Sequence, residues 1–135
     1  MIIKSKIISI FLLNDHMIRY YFDAYLYIHM SQIDKKKWAI GPSKIHGSGI
    51  IANCNIKEHE IVDVGIDYWM GIIPYVTPHF GSWINHCENA NTHLIYFGKH
   101  YIVSQKPIKR GEELTVNYNL TPWYIDRAKP WYTSC

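Results

Sequence analysis

The sequence predicts a mostly β domain with little helix. From Trp38 onward, short apolar pieces are separated by glycine and proline, and β-branched and aromatic residues dominate them. None of these pieces reaches the roughly ten residues that an independent helix needs. The chain has 135 residues, enough for one hydrophobic core. Its 48% hydrophobic and 19% charged content excludes a disordered chain.

The first 37 residues have no clear pattern. Apolar runs alternate with polar breaks up to residue 33 and fit strand or helix equally well. Residues 34–37 (DKKK) form a polar break, after which the pattern becomes regular. We therefore expect residues 1–37 to be an N-terminal extension of unassigned role, with residues 1–29 a candidate appendage. The apolar run at residues 7–13 is too short to span a membrane and no signal-peptide cleavage site follows it.

The predicted strands and turns follow the apolar pieces in order. The predicted strands are residues 38–40, 49–52, 60–64, 94–97, 101–104 and 113–118. Residues 97–100 (FGKH) predict a hairpin turn, and residues 107–112 (PIKRGE) predict a turn that precedes the last strand. The end of the chain is rich in tryptophan and tyrosine, and we expect it to fold back onto the domain.

Charge is distributed unevenly along the chain. Residues 58–126 contain eight acids and four bases, a net charge of −4, whereas the flanks carry +7. An acidic centre would attract a cationic peptide, and the basic flanks would suit an acidic partner. Chance clustering on a solvated surface explains the asymmetry equally well. No direct nucleic-acid site and no membrane contact are predicted.

The three cysteines, Cys54, Cys87 and Cys135, have neither paired C-x-x-C spacing nor an even count. This pattern indicates neither a disulfide framework nor a structural zinc site. It favours a reducing, intracellular setting.

Three segments carry polar residues that could do chemistry. Residues 47–49 (GSG) are typical of a tight turn or of backbone that approaches a ligand. Residues 85–91 (NHCENAN) fit a polar turn, a metal or nucleophile site, or a loop that grips a ligand. Side chains of His86 and Cys87 on an extended strand would point to opposite faces, which argues against a simple Cys-His dyad. Residues 111–118 (GEELTVNY) predict a turn and an alternating strand that ends in Tyr118.

Taken together and in this order, these segments resemble the signatures of the SET domain. Residues 85–91 are similar to N-H-S-C-x-P-N, residues 111–118 to G-E-E-L-x-x-D-Y, and residues 47–49 to the opening G-x-G. The resemblance covers about residues 38–124, which we take as the domain, with residues 125–135 as an aromatic C-terminal tail. Departures are Cys87 for serine, Glu88 for the second cysteine or a variable residue, Ala90 for proline and Asn117 for aspartate. The compact size resembles SET proteins of large DNA viruses.

The resemblance implies a β-clip-like SET fold with a knot-like C-terminal segment. It also implies transfer of a methyl group from S-adenosyl-L-methionine to a lysine of a histone or other basic protein tail. Tyr118 would be the catalytic residue. The implied cofactor-binding residues are Gly47, Ser48, Gly49, Asn85, His86, Tyr118 and Trp123, with Asn85 and His86 acting largely through backbone groups. Candidate walls of the lysine channel are Tyr68, Tyr75, Tyr96 and Tyr124.

Relatives often close the channel with a zinc-bound three-cysteine tail, but only Cys135 follows Tyr118, so we expect no metal and closure by aromatic packing or a partner subunit. A homodimer is left open, and a histone substrate would place the protein in the nucleus or on chromatin. The alternatives are a catalytically inactive SET-like module that binds a peptide and a metal or thiol enzyme that uses His86 and Cys87.

Overall fold

Strands account for most of the regular structure in the computed structural model, which describes residues 36–132 and 135. The strands are β1 (Trp38–Pro42), β2 (Ser48–Ala52), β3 (Ile61–Trp69), β4 (Ile73–Val76), β5 (Asn85–His86), β6 (Thr92–Phe97), β7 (Lys99–Ser104) and β8 (Glu113–Val116). Two short 3₁₀ helices, η1 (Gly81–Trp83) and η2 (Tyr118–Leu120), complete the described elements. Neither is long or apolar enough to cross a membrane.

The strand order in the sheet differs from the order in the sequence. The sheet runs β1-β2-β8-β6-β7-β3-β4, and β5 pairs with β8. Strand β8 is therefore flanked by segments that lie far from it in the chain: β2 runs antiparallel to it, and β5 and β6 run parallel to it. The prediction of a mostly β fold with little helix is confirmed.

All six predicted strands form, and two of the differences in their boundaries have a local cause. The last strand ends at Val116 because the side chain of Asn117 accepts a hydrogen bond from the Asn119 amide and caps η2 at its N-terminus. Strand β3 continues past Gly65 to Trp69 and pairs with β4, a hairpin that the sequence did not indicate. A Cβ atom at Gly65 would lie 3.1 Å from Cγ1 of Ile102, so this glycine allows close packing instead of ending the strand.

The core lies where the two halves of the sheet meet η1. The fully buried hydrophobic side chains are Phe80, Ile50, Ile56, Ile102, Ile108 and Leu114. Ile56 and Ile108 also exchange two backbone hydrogen bonds of 2.8 Å, which join the loops that precede β3 and β8. Burial of these side chains holds the ends of β2 and β8 together, and those ends carry the polar motifs.

Two predictions concern the ends of the chain. The expectation that the cysteines form no disulfide is wrong, because Cys87 and Cys135 are bonded to each other, with Cα atoms 5.5 Å apart. Spacing could not reveal this pair because 48 residues separate its members. Cys54 is free and exposed. The prediction of an N-terminal extension falls, except for Lys36 and Lys37, outside the described residues.

The indole of Trp38 gives a first test of the core. Its Nε1–H donates to Asp63 Oδ2 at 2.9 Å, and its ring packs on Phe80 with centroids 4.9 Å apart. We expect Trp38→Phe to lower the free energy of unfolding by about 1–2 kcal/mol, because the donor to a carboxylate is lost while most of the ring contact remains. Urea denaturation measures the change. Trp131→Phe, at a side chain 76% exposed, is the control and should change little; equal losses in the two variants would contradict this account.

Candidate active site

Strand β8 brings the three polar segments of the sequence together. On one side, Ile50 and Ile51 of β2 pair with Leu114 and Glu113. On the other side, β5 runs parallel to β8, with Asn85 opposite Thr115 and His86 opposite Val116. We call residues 47–49 the glycine segment and residues 85–91 the Asn-His segment. The two segments thus lie on either side of β8, the strand that carries the last signature.

A cluster of partly buried polar side chains fixes the glycine segment to β8. The Asn85 side-chain amide donates to Glu113 Oε1 at 2.8 Å and to the Ser48 carbonyl oxygen at 3.1 Å. The Ser43 hydroxyl also donates to the Glu113 carboxylate, at 2.8 Å. Gly49 lies directly beneath this carboxylate, where a Cβ atom would come within 3.0 Å of Asn85 Nδ2. A side chain at position 49 has no space, and this explains the second glycine of the segment.

The loop at residues 85–91 is held by its second asparagine. The Asn91 side chain donates to the Glu113 carbonyl oxygen at 2.8 Å and accepts from the Thr115 amide at 2.9 Å. It therefore imitates the backbone of a neighbouring strand. Asn117 donates to the Glu88 carbonyl oxygen at 3.1 Å, a bond that the aspartate usual at this position would not make when ionised. This departure from the signature thus supplies an additional contact to the loop.

Tyr118 is fixed at both its backbone and its hydroxyl. Its amide donates to His86 Nδ1 at 3.0 Å, and its hydroxyl donates to the Ile84 carbonyl oxygen at 2.6 Å. Burial, with a contribution from Tyr132, raises the pKa of Tyr118 to about 12. The hydroxyl therefore stays protonated at neutral pH and has an oriented oxygen with lone pairs to spare.

An aromatic group adjoins Tyr118 on the side of His86. The rings of His86 and Tyr118 have centroids 5.2 Å apart, and Tyr132 of the tail lies 6.0 Å and 6.2 Å from them. We call His86, Tyr118 and Tyr132 the tail cluster. A cleft of about 280 Å³ opens beside it, lined by His86, Glu88, Asn119, Ala128, Lys129, Pro130 and Tyr132. The Cys87–Cys135 bond joins the tail to the residue after His86.

A second aromatic group gathers residues from β3, β6, β7 and the C-terminal segment. The Tyr68 hydroxyl lies 2.7 Å from the Tyr124 hydroxyl and 3.1 Å from His100 Nδ1. Tyr96 packs against Tyr68 and His100 with centroid distances of 5.9 Å and 5.0 Å. We call Tyr68, Tyr96, His100 and Tyr124 the hydroxyl cluster. Burial lowers the pKa of His100, and burial together with the bond to Tyr68 raises the pKa of Tyr124.

Residues 65–119 match the family model of the SET domain. The chain therefore contains a SET domain. The fold agrees with this assignment: a crystal structure of a Plasmodium falciparum protein assigned as a histone methyltransferase is similar, with a TM-score of 0.54 and 18% identity. The similarity covers 66% of this chain and 98% of that one. Among curated proteins, none matches this sequence.

The SET domain brings together most of the residues that the sequence singled out. The glycine segment, Asn85, His86 and Tyr118 meet around β8, and Tyr68, Tyr96 and Tyr124 meet in the hydroxyl cluster. Tyr75 does not join them: it pairs with Asp67 across the β3–β4 hairpin and so shares the face of Asp67, which alternates with that of Tyr68. Trp123 is 86% exposed and its ring contacts Tyr124. The roles of all these residues remain predictions.

Four residues of the site were not among those that the sequence predicted. Glu113 could have been found as the acid at the start of the strand that follows the signature turn. His100 was assigned only to a turn, although its place one residue after the start of β7 puts it on the face of Tyr96. Tyr132 and Cys135 were assigned to the C-terminal tail, but the sequence did not predict which residues the tail contacts, because no local pattern indicates where it packs.

Proposed function

We propose that this SET-domain protein is a protein lysine N-methyltransferase that uses S-adenosyl-L-methionine and acts on histone or other basic protein tails. The observation that carries the proposal is the position of Tyr118. Its hydroxyl is fixed by the Ile84 carbonyl, beside the His86 ring and at the end of the strand that also holds the glycine segment. A substrate of this kind would place the protein at chromatin.

The residues present suit the cofactor. The cleft beside the tail cluster offers the rings of His86 and Tyr132 as surfaces for a planar base. The Asn85 side chain donates to the Ser48 carbonyl oxygen and to Glu113, so it positions the glycine segment next to β8. When bound, S-adenosyl-L-methionine supplies a methyl group on a positively charged sulfur, which an electron-rich, apolar wall accommodates. A larger groove of about 560 Å³, whose lining includes neither His86 nor Tyr118, has no such surfaces.

A lysine side chain needs to lose a proton before it can accept a methyl group. Its unperturbed pKa of about 10.4 leaves almost no neutral amine at pH 7, and an ammonium has no lone pair. An aromatic channel disfavours the charged form and lowers that pKa. The Tyr118 hydroxyl stays protonated and oriented, so it can align the reacting groups without itself changing charge. The net charge of −4 over residues 58–126 favours the approach of a basic peptide.

The two alternatives differ in what they require. A thiol enzyme requires a free thiolate, and Cys87 has none while it is bonded to Cys135. An inactive module that binds a peptide requires no cofactor and no oriented hydroxyl. Activity measurements separate this alternative from the methyltransferase.

The test is transfer of labelled methyl from S-adenosyl-L-methionine to histones and small basic proteins. We expect Tyr118→Phe to lower the rate at least about 100-fold, because the variant keeps the ring and loses the oriented oxygen. Cofactor affinity, measured by calorimetry, should change less than about threefold. Tyr101→Phe, at a buried tyrosine of β7 outside both clusters, is the matched control and should transfer at the wild-type rate. Peptide binding without any transfer by the wild-type protein would instead support the inactive module.

A further inference from the structure

The hydroxyl cluster contains a histidine that nothing in the signatures assigns. We infer that His100 is a positioning residue that sets the direction of the hydrogen-bond chain through Tyr68 to Tyr124, so that the Tyr124 oxygen accepts a hydrogen bond from the substrate amine. The inference rests on the proposed function. It concerns the orientation of the Tyr124 hydroxyl in the lysine channel. It does not concern Tyr118, which we propose lies beside the transferred methyl group.

The geometry supplies a continuous chain of three polar atoms. His100 Nδ1 lies 3.1 Å from the Tyr68 oxygen, which lies 2.7 Å from the Tyr124 oxygen. The rings of Tyr68 and His100 are stacked at 30° with centroids 5.9 Å apart, which holds the imidazole in place. Tyr96 packs on the same imidazole. Four segments of the chain therefore converge on one pair of hydrogen bonds.

Each hydroxyl has a single proton, so the chain has only two directions. If His100 Nδ1 is an acceptor, Tyr68 donates to it, Tyr124 donates to Tyr68, and the Tyr124 oxygen presents lone pairs outward. If Nδ1 carries a proton, it donates a hydrogen bond to the Tyr68 oxygen, the Tyr68 hydroxyl donates to Tyr124, and the Tyr124 proton then points outward. The state of one imidazole nitrogen thus decides whether Tyr124 is an acceptor or a donor.

The acceptor direction suits an amine about to be methylated. A lysine amine has N–H bonds that need acceptors while its lone pair points at the methyl group, and an outward O–H would compete for that lone pair. Burial lowers the pKa of His100, which favours a neutral imidazole at pH 7, and Nδ1 accepts when the ring proton is on Nε2, the tautomer that this proposal requires. The titratable groups that face it are Tyr68, Tyr96 and Tyr124. The ion pair between Lys99 Nζ and Asp67 Oδ2, at 2.7 Å, lies on the opposite face, because Lys99 alternates with His100 along β7 and Asp67 alternates with Tyr68 along β3.

Matched substitutions separate the acceptor from the ring. His100→Asn keeps an acceptor near the position of Nδ1 and cannot titrate, whereas His100→Phe keeps a ring and removes the acceptor. We expect His100→Phe to lower kcat/KM for an unmethylated lysine peptide about tenfold, and His100→Asn less than about threefold. The loss in His100→Phe should be smaller for a dimethyl-lysine peptide, which offers fewer N–H bonds. His59→Asn, at an exposed histidine, is the control and should behave as wild type.

The pH dependence gives a second arm. Protonation of His100 reverses the direction of the hydrogen-bond chain. Because the pKa of His100 is lowered from its unperturbed value of about 6.5, the wild-type rate should fall only below that pH, where an exposed histidine would already be protonated. His100→Asn should lack this fall. An acid limb that is the same in both proteins, or equal losses for unmethylated and dimethyl-lysine peptides in His100→Phe, would overturn the inference.

A spectroscopic readout makes the two proposals separable. Long-range ¹H–¹⁵N correlation spectra of the protein without ligands should show His100 at pH 7 with its proton on Nε2. A protonated Nδ1 at pH 7 would refute the chain direction whether or not the protein transfers methyl groups. Conversely, no transfer by wild type together with an Nε2–H tautomer would refute the proposed function and leave the hydrogen-bond chain established.

Discussion

Replacement of Gly49 by alanine is expected to weaken cofactor binding at least about tenfold and to lower the free energy of unfolding by about 1–3 kcal/mol. The reason is the Glu113 carboxylate, which lies against the Gly49 Cα. An added Cβ would lie 2.9 Å from Glu113 Cδ and 3.0 Å from Asn85 Nδ2, closer than side chains tolerate. Either the glycine segment or the carboxylate would have to move.

The carboxylate cannot move freely because it is held by two donors. Ser43 and Asn85 each bond to Glu113 Oε1 at 2.8 Å, and Asn85 also bonds to Ser48 O. A displaced Glu113 would therefore release the glycine segment that these bonds fix to β8. Calorimetric titration with S-adenosyl-L-methionine and urea denaturation measure the two expected losses.

A double-mutant cycle identifies the collision as the cause. In Glu113→Ala the carboxylate that crowds Gly49 is absent and only the 3.0 Å approach to Asn85 Nδ2 remains, so adding Gly49→Ala to this background should cost clearly less than Gly49→Ala costs alone. Gly71→Asn is the control: Gly71 has a φ of +76°, which asparagine tolerates, and a Cβ there would meet no atom within 4 Å. Additive effects of the two substitutions at 49 and 113 would contradict this account.

The sequence predicted the parts of the site that are encoded locally. The last strand alternates and follows a glycine turn, so its position and the placement of Tyr118 near its end could be read directly. The hairpin at residues 97–100 was predictable for the same reason, and Gly98 adopts a positive φ of 69° there. Signature order then indicated that the glycine and Asn-His segments meet.

The parts that depend on register and on the path of the tail could not be predicted. Tyr75 and Tyr68 were both predicted to line the lysine channel. The pairing of Asp67 with Tyr75 shows that the two tyrosines lie on opposite faces of the hairpin. His100 joined the site through its pairing with Tyr96 on the neighbouring strand. These contacts depend on the register of hydrogen bonding between strands. A register shift of one residue would move each side chain to the opposite face of the sheet without any change in the sequence.

Loss of the Cys87–Cys135 bond is expected to have the other large effect, because it is the covalent link between the tail and the loop of the Asn-His signature. The bond closes a loop of 48 residues, and the chain-entropy model assigns about 4 kcal/mol to a loop of that length. Tyr132 contacts His86 and Tyr118 from the same tail. Opening the bond would therefore loosen one wall of the cleft as well as the fold.

Cys135→Ser is the preferred variant because Cys135 is exposed, whereas Cys87 is buried and a serine there would add a second cost. We expect this variant to lower the free energy of unfolding by about 2–4 kcal/mol and cofactor affinity about tenfold. Reduction of the wild-type protein with dithiothreitol should reproduce both losses, since it opens the same bond and releases two thiols. Cys54→Ser, at the free and exposed cysteine, should change neither quantity and is the matched control.

Thiol labelling decides whether the bond forms in solution. Alkylation of the native protein without reductant should modify one cysteine, Cys54, and prior reduction under denaturing conditions should raise the number to three. Modification of the exposed Cys135 as well as Cys54 without reductant would show that the tail is held by aromatic contacts alone. In that case Cys135→Ser and Cys54→Ser should be equally stable, and Tyr132→Ala should instead carry the loss of cofactor affinity, because its ring would be the main contact from the tail to His86.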